Sequence, residues 1–86
     1  METRVAVIGI IVEDEDSVEA LNALLHEYRR YVIGRMGVPY KKRGISIISI
    51  ALDASADVIS ALSGKLGALP NVSTKTVYTK TPNDEE

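Results

Sequence analysis

Cysteine is absent from the 86-residue sequence. That excludes a disulfide framework, a thiolate metal site, cysteine-ligated iron–sulfur clusters and a cysteine nucleophile. Histidine occurs once, as His26, without a second His, a Cys or a carboxylate at ligand spacing. A transition-metal site and a triad-type hydrolase site both lack the residues they need, so no cofactor and no enzymatic activity are expected. No apolar run approaches the length that spans a bilayer. Residues 1–4 show neither the basic start and apolar stretch of a secretory signal nor the Arg/Ser-rich pattern of a transit peptide, and a cytoplasmic location is expected. Excess charge is lacking too: ten Lys and Arg against twelve Asp and Glu leave a net charge of -2, with no global drive toward nucleic acid or an anionic membrane. Without a helix-turn-helix, ribbon or zinc module, neither direct nucleic-acid binding nor membrane association is expected.

Two apparent motifs fail on spacing. Gly64-Lys65 would be a phosphate loop only with a glycine five residues before Gly64 and a Ser or Thr after Lys65, and those places hold Ile59 and Leu66. The acidic run Glu13, Asp14, Glu15 and Asp16 could hold a hard cation, but it lacks the glycine and terminal glutamate of an EF-hand. Its simpler reading is a solvated turn whose carboxylates favour the positive end of a helix dipole.

What is present is an ordinary globular composition, 45% hydrophobic and 26% charged, on a chain short enough that only roughly 60% of its unfolded surface can be buried. Residues 1–80 read as one domain and 81–86, "TPNDEE", as a disordered acidic tail. Val- and Ile-rich runs at 4–12 and 45–52 and an alternating Thr/Lys/Val/Tyr run at 72–80 read as strands. Val18, Leu21, Leu25 and Tyr28 recur at helical spacing, with Asp16 and Glu19 as a capping box, and a strand follows at about 31–36. Val58, Ile59, Leu62 and Leu66 make a second helix that Gly67 is placed to end. The order βαββαβ is two βαβ halves, which mesh into an α+β, ferredoxin-like sandwich: a four-stranded antiparallel sheet with two helices on one face.

A half-covered sheet should show alternating strands, yet Val5, Val7, Gly9 and Ile11 face one way while Ala6, Ile8, Ile10 and Val12 face the other. Ile45 and Ile47 oppose Ile48, Ile50 and Leu52 in the same manner. The uncovered apolar face predicts a homo-oligomer, a dimer or tetramer.

Basic residues concentrate at Arg29, Arg30, Arg35, Lys41, Lys42 and Arg43, around the heptapeptide "GRMGVPY" at 34–40. Gly34, Gly37 and Pro39 suggest a strand connection there. Two readings of the cluster stand: a site for a carboxylate, phosphate or nucleotide, with Arg35 offering a planar fork and Tyr40 a ring and hydroxyl, or a solvated hairpin tip.

"YVIGRMGVPY", "GISIISIALD" and "ALSGKLGALPNVSTKT" together resemble the small iron-only hydrogenase system regulators, and the likeness runs from Arg4 to Thr79. Members of that family are similar in fold to ACT domains and to the C-terminal domain of nickel-responsive regulators. The resemblance implies a stand-alone regulatory, ligand-sensing domain rather than an enzyme. The chain has "EDEDS" where ligand-binding ACT domains commonly carry a glycine-containing turn, and it lacks the His/Cys set of the nickel regulators. Amino-acid binding and nickel sensing therefore do not carry over. The leading expectation is an effector-sensing oligomer whose small anionic ligand meets Arg35, Tyr40, Arg43 and Lys65. The alternative is a non-sensing accessory subunit that docks on a larger partner protein through the open sheet face.

Overall fold

The branched side chains of the first run stiffen it into β1 (Arg4–Val12) in the computed structural model, which describes residues 2–80. The chain continues through a 3₁₀ turn (Glu15–Ser17) into α1 (Val18–Glu27), a second 3₁₀ turn (Arg29–Tyr31), β2 (Val32–Tyr40), β3 (Ile45–Ala54), α2 (Ala56–Gly67) and β4 (Val72–Tyr78). The acidic tail expected at 81–86 lies outside the described residues. All neighbouring strands are antiparallel, in the order β2-β3-β1-β4. That order follows when two βαβ halves mesh, and the fold is the expected ferredoxin-like α+β sandwich.

β1 and β3 form the centre of the sheet, paired from Arg4↔Ala54 to Val12↔Ser46. Residues directly opposed across a ladder share a face. Ala6, Ile8, Ile10 and Val12 thus lie beside Ile48, Ile50, Leu52 and Ala54, all buried against Leu21 and Leu25 of α1 and Ile59, Leu62 and Leu66 of α2. The two-residue period of the strands and the three- and four-residue spacing of the helices meet in this one core. Full burial of each Ile or Leu contributes about 1.5–3 kcal/mol before entropy. On β4 the inward Thr76 donates to Ser63 Oγ of α2 at 3.2 Å, and Thr74 Oγ1 lies 3.5 Å from the same oxygen.

The start of α1 differs in detail from the sequence reading. Asp14, not Asp16, supplies the cap: its Oδ1 accepts from Asp16 N at 2.9 Å and opens the 3₁₀ turn. The chain enters α1 already helical, with Ser17 at φ -86 and ψ -8, whereas a side-chain cap needs an extended residue. The buried Ser17 hydroxyl instead donates to Pro70 O at 2.7 Å. α2 begins as a cap should, with Ser55 Oγ accepting from Val58 N at 3.3 Å. Its end closes through Ala68 N to Gly64 O and Leu69 N to Leu66 O, both 3.1 Å. The helix ends at Gly67 as expected, and the left-handed residue of the turn that follows is Asn71, at φ 58.

The larger correction concerns residues 34–40, which are not a connection but the body of β2, paired with β3 out to Tyr40↔Ile45. β2 is an edge strand, where one row of N–H groups has no ladder partner, so Pro39 is tolerated. The turn itself is residues 41–44, closed by Arg43 N to Tyr40 O and Gly44 N to Lys41 O, both 3.2 Å. Its conformational demand falls on Gly44, at φ 67. Register shifts between Val32↔Leu52 and Gly34↔Ala51 make Ile33 a β-bulge. The bulge decides the facing of everything after it: Arg35, Gly37 and Pro39 oppose Ile50, Ile48 and Ser46 on the helix side, while Met36, Val38 and Tyr40 oppose Ser49, Ile47 and Ile45 on the other.

Candidate functional site

Two helices do not fully cover four strands, and the helix side of the β2 edge is left as the floor of a groove along α1. Leu25, Val32 and Ile50 form that floor, and Asn22, His26, Arg29 and Arg35 rise around an open depression of about 300 Å³. Asn22, His26 and Arg29 reach the groove together because they recur at four- and three-residue steps along α1 and the turn after it. Arg35 Nη2 donates to Asn22 Oδ1 at 3.3 Å, and Arg29 Nη1 donates to His26 O at 2.9 Å. The second bond places a cation on the carbonyl end of α1, where the helix dipole is negative. Neither guanidinium has a carboxylate partner among the described residues. Both keep N–H donors for an acceptor in the groove, and planar forks above an apolar floor suit a carboxylate or phosphate carrying a small apolar body. Past Arg35 the groove continues into a depression of about 230 Å³ beside Val18, Gly37, Pro39 and Ser46.

The four residues singled out in the sequence stand apart within one chain. Arg35 faces α1, whereas Tyr40 lies on the opposite face of the same strand. Arg43 is in the turn between β2 and β3. Lys65 leaves α2 with its Nζ 5.2 Å from the centre of the Tyr28 ring. The Tyr28 phenol, through hydrogen bonding and then charge, raises the Lys65 pKa above its ordinary value. Asn22 and His26 were not among the expected site residues, and Arg29 entered only as part of the basic cluster. Their helical spacing was the available signal, but it points into a groove only once the bulge has turned Arg35 toward α1.

Among the described residues no helix lies on the other side of the sheet. Val7, Met36, Val38, Tyr40, Ile47 and Val77 are all exposed there, Met36 and Val77 at 65% and 68%. In the middle of this face Gly9 floors an open trough of about 510 Å³, flanked by Ile11, Ile47, Ser49, Ser73 and Lys75.

Known proteins resemble most of the chain. Residues 4–76 match the family "TM1266-like: Iron-only hydrogenase system regulator, putative". A solved structure, that of the uncharacterized protein TM1266 from Thermotoga maritima, superposes with a TM-score of 0.88 at 36% identity, covering 92% of this chain and 100% of that one. The chain belongs to the TM1266-like family. No curated protein matches it. For a TM1266-like chain the family description names regulation of an iron-only hydrogenase system and no reaction. Among the described residues no group of three or more His, Cys, Asp and Glu converges as a metal site, and no helix is long and apolar enough to cross a membrane.

Proposed function

We propose that this TM1266-like chain is a regulatory protein of an iron-only hydrogenase system, working as an ACT-like homo-oligomer that senses a small anionic effector. The regulatory role is drawn from the family description. The observation that carries the sensing role is the pair of guanidiniums, Arg35 and Arg29, which have no carboxylate partner among the described residues and stand above the apolar floor of Leu25, Val32 and Ile50. A carboxylate or phosphate held in the plane of the Arg35 fork gains two charge-assisted hydrogen bonds, and its apolar part covers the groove floor. Oligomerisation is assigned to the open sheet face, because apolar patches of this extent seldom stay exposed on a monomer. Tyr40 on that face and Arg43 at the hairpin tip are then placed to meet a neighbouring subunit, and Lys65 adds positive charge near the Tyr28 end of α1.

Calorimetric titration with a panel of small carboxylates and phosphate esters tests the sensing role. Binding by the natural chain and its loss in Arg35→Ala, at an unchanged melting temperature, is the expected result. Equal affinity in the variant removes Arg35 from the site.

The exposed Met36, Val38, Ile47 and Val77 also favour a second reading, an accessory subunit docked on a larger enzyme by this face. Stoichiometric capture of a hydrogenase-system enzyme, abolished by Val38→Glu, would select it.

A further inference from the structure

We propose that two copies of this chain pack open face to open face about a two-fold axis passing over Val7, with Lys75 of each copy ion-paired to Asp53 of the other. This rests on the oligomer reading above and adds its geometry. The strand residues on the open face are almost all apolar or small, and Asp53 and Lys75 are the two that carry charge. Asp53 opposes Val5 across the β1–β3 ladder, and Lys75 opposes Gly9 across the β1–β4 ladder. Measured from Val7, each lies two residues along β1, roughly 7 Å, and one strand outward, roughly 4.8 Å, in opposite directions. The acid and the base are therefore diagonal partners about the central residue of the face.

A second copy turned over about an in-plane axis through Val7, at right angles to that diagonal, lays its Asp53 on Lys75 and its Lys75 on Asp53. Both contacts form at once, as an isologous interface requires. The strands of the two sheets then cross steeply, in the orthogonal manner of sheet packing. Neither charge forms an ion pair among the described residues of its own chain. Burying one of them under an unrelated apolar surface would leave it unpaired at high cost, whereas a second copy satisfies both and fixes the register. Val7, Met36 and Val77, the exposed apolar residues nearest that axis, supply the apolar contact around it.

Sedimentation equilibrium over a dilution series tests this with the natural chain, Lys75→Glu, Asp53→Lys and the double reversal. The natural chain should self-associate, each single reversal should raise the dissociation constant at least about tenfold by opposing like charges, and the double reversal should bring it back to within about threefold. Should a reversed chain not fold, Lys75→Gln, Asp53→Asn and their combination replace the set, the combined loss being smaller than the product of the single losses. Association indifferent to these changes, or a double variant as weak as the singles, overturns the Val7-centred geometry and leaves the oligomer reading standing. A natural chain that stays monomeric at every concentration overturns both.

Discussion

The guanidinium of Arg35 reaches across from the edge strand β2 to α1 and donates to Asn22 Oδ1 at 3.3 Å, so one exposed hydrogen bond spans the groove assigned to the effector. An exposed bond of this kind contributes little to folding. Arg35→Ala is expected to change stability by less than about 0.5 kcal/mol while removing effector binding. Arg35→Lys, which keeps the charge but not the planar fork, should retain only part of it. Thermal melts paired with calorimetric titration read both quantities, and a large loss of stability with intact binding would contradict the assignment.

Glycines in and beside β2 should respond in opposite ways. Gly44 sits at φ 67, where a side chain is strained, and Gly44→Ala is expected to cost about 1 kcal/mol. A Cβ at Gly34 would meet no atom within 4 Å, and Gly34→Ala should be neutral or slightly stabilising through the unfolded chain. Urea denaturation of the two variants distinguishes a turn at 41–44 from one centred on 34–40; a greater loss at Gly34 would favour the latter.

Adjacent isoleucines of β3 separate the core from the open face. Ile48 is 7% exposed and Ile47 44%. Ile48→Ala should cost about 2–5 kcal/mol at any protein concentration. Ile47→Ser should cost little in dilute solution and weaken the concentration dependence of the melting temperature, since self-association adds stability by mass action. A melting temperature independent of concentration in the natural chain would argue against association through this face.

The Lys65–Tyr28 contact predicts a specific alkaline response. The Tyr28 phenol raises the pKa of Lys65 above its ordinary 10.5. A group whose folded pKa is raised contributes stability that is fully present below the unfolded value and lost as pH rises through the folded one. The contribution should therefore persist to about pH 10.5 and fade above it. Lys65→Met should flatten that alkaline limb, as followed by denaturation at pH 9, 10 and 11, and an unchanged limb would show that the pair is not its source.

The fold was legible because its signals are local and redundant. Val and Ile runs, helical spacing at Leu21 and Leu25, and the βαββαβ order all point to one sandwich, and the apolar second face of β1 was visible in Val5, Val7 and Ile11 alone. The groove was much less legible. Gly34, Gly37 and Pro39 have the composition of a turn, and only pairing with β3 shows that they are an edge strand. The bulge at Ile33 has no sequence mark, yet it turns Arg35 toward α1 and Tyr40 away from it. Asn22, His26 and Arg29 become neighbours of Arg35 only after that rotation. Charge on the open face was hidden for a similar reason: Asp53 and Lys75 are 22 residues apart in the chain and acquire their diagonal relation through the registers of two separate ladders.

Native mass spectrometry of freshly purified protein reads oligomerisation and effector binding together, because one spectrum reports subunit number and any retained small molecule. The expected spectrum is a homo-oligomer carrying a discrete extra mass, anionic when released, that is missing from Arg35→Ala. A bare monomer in the natural chain would contradict the sensing oligomer.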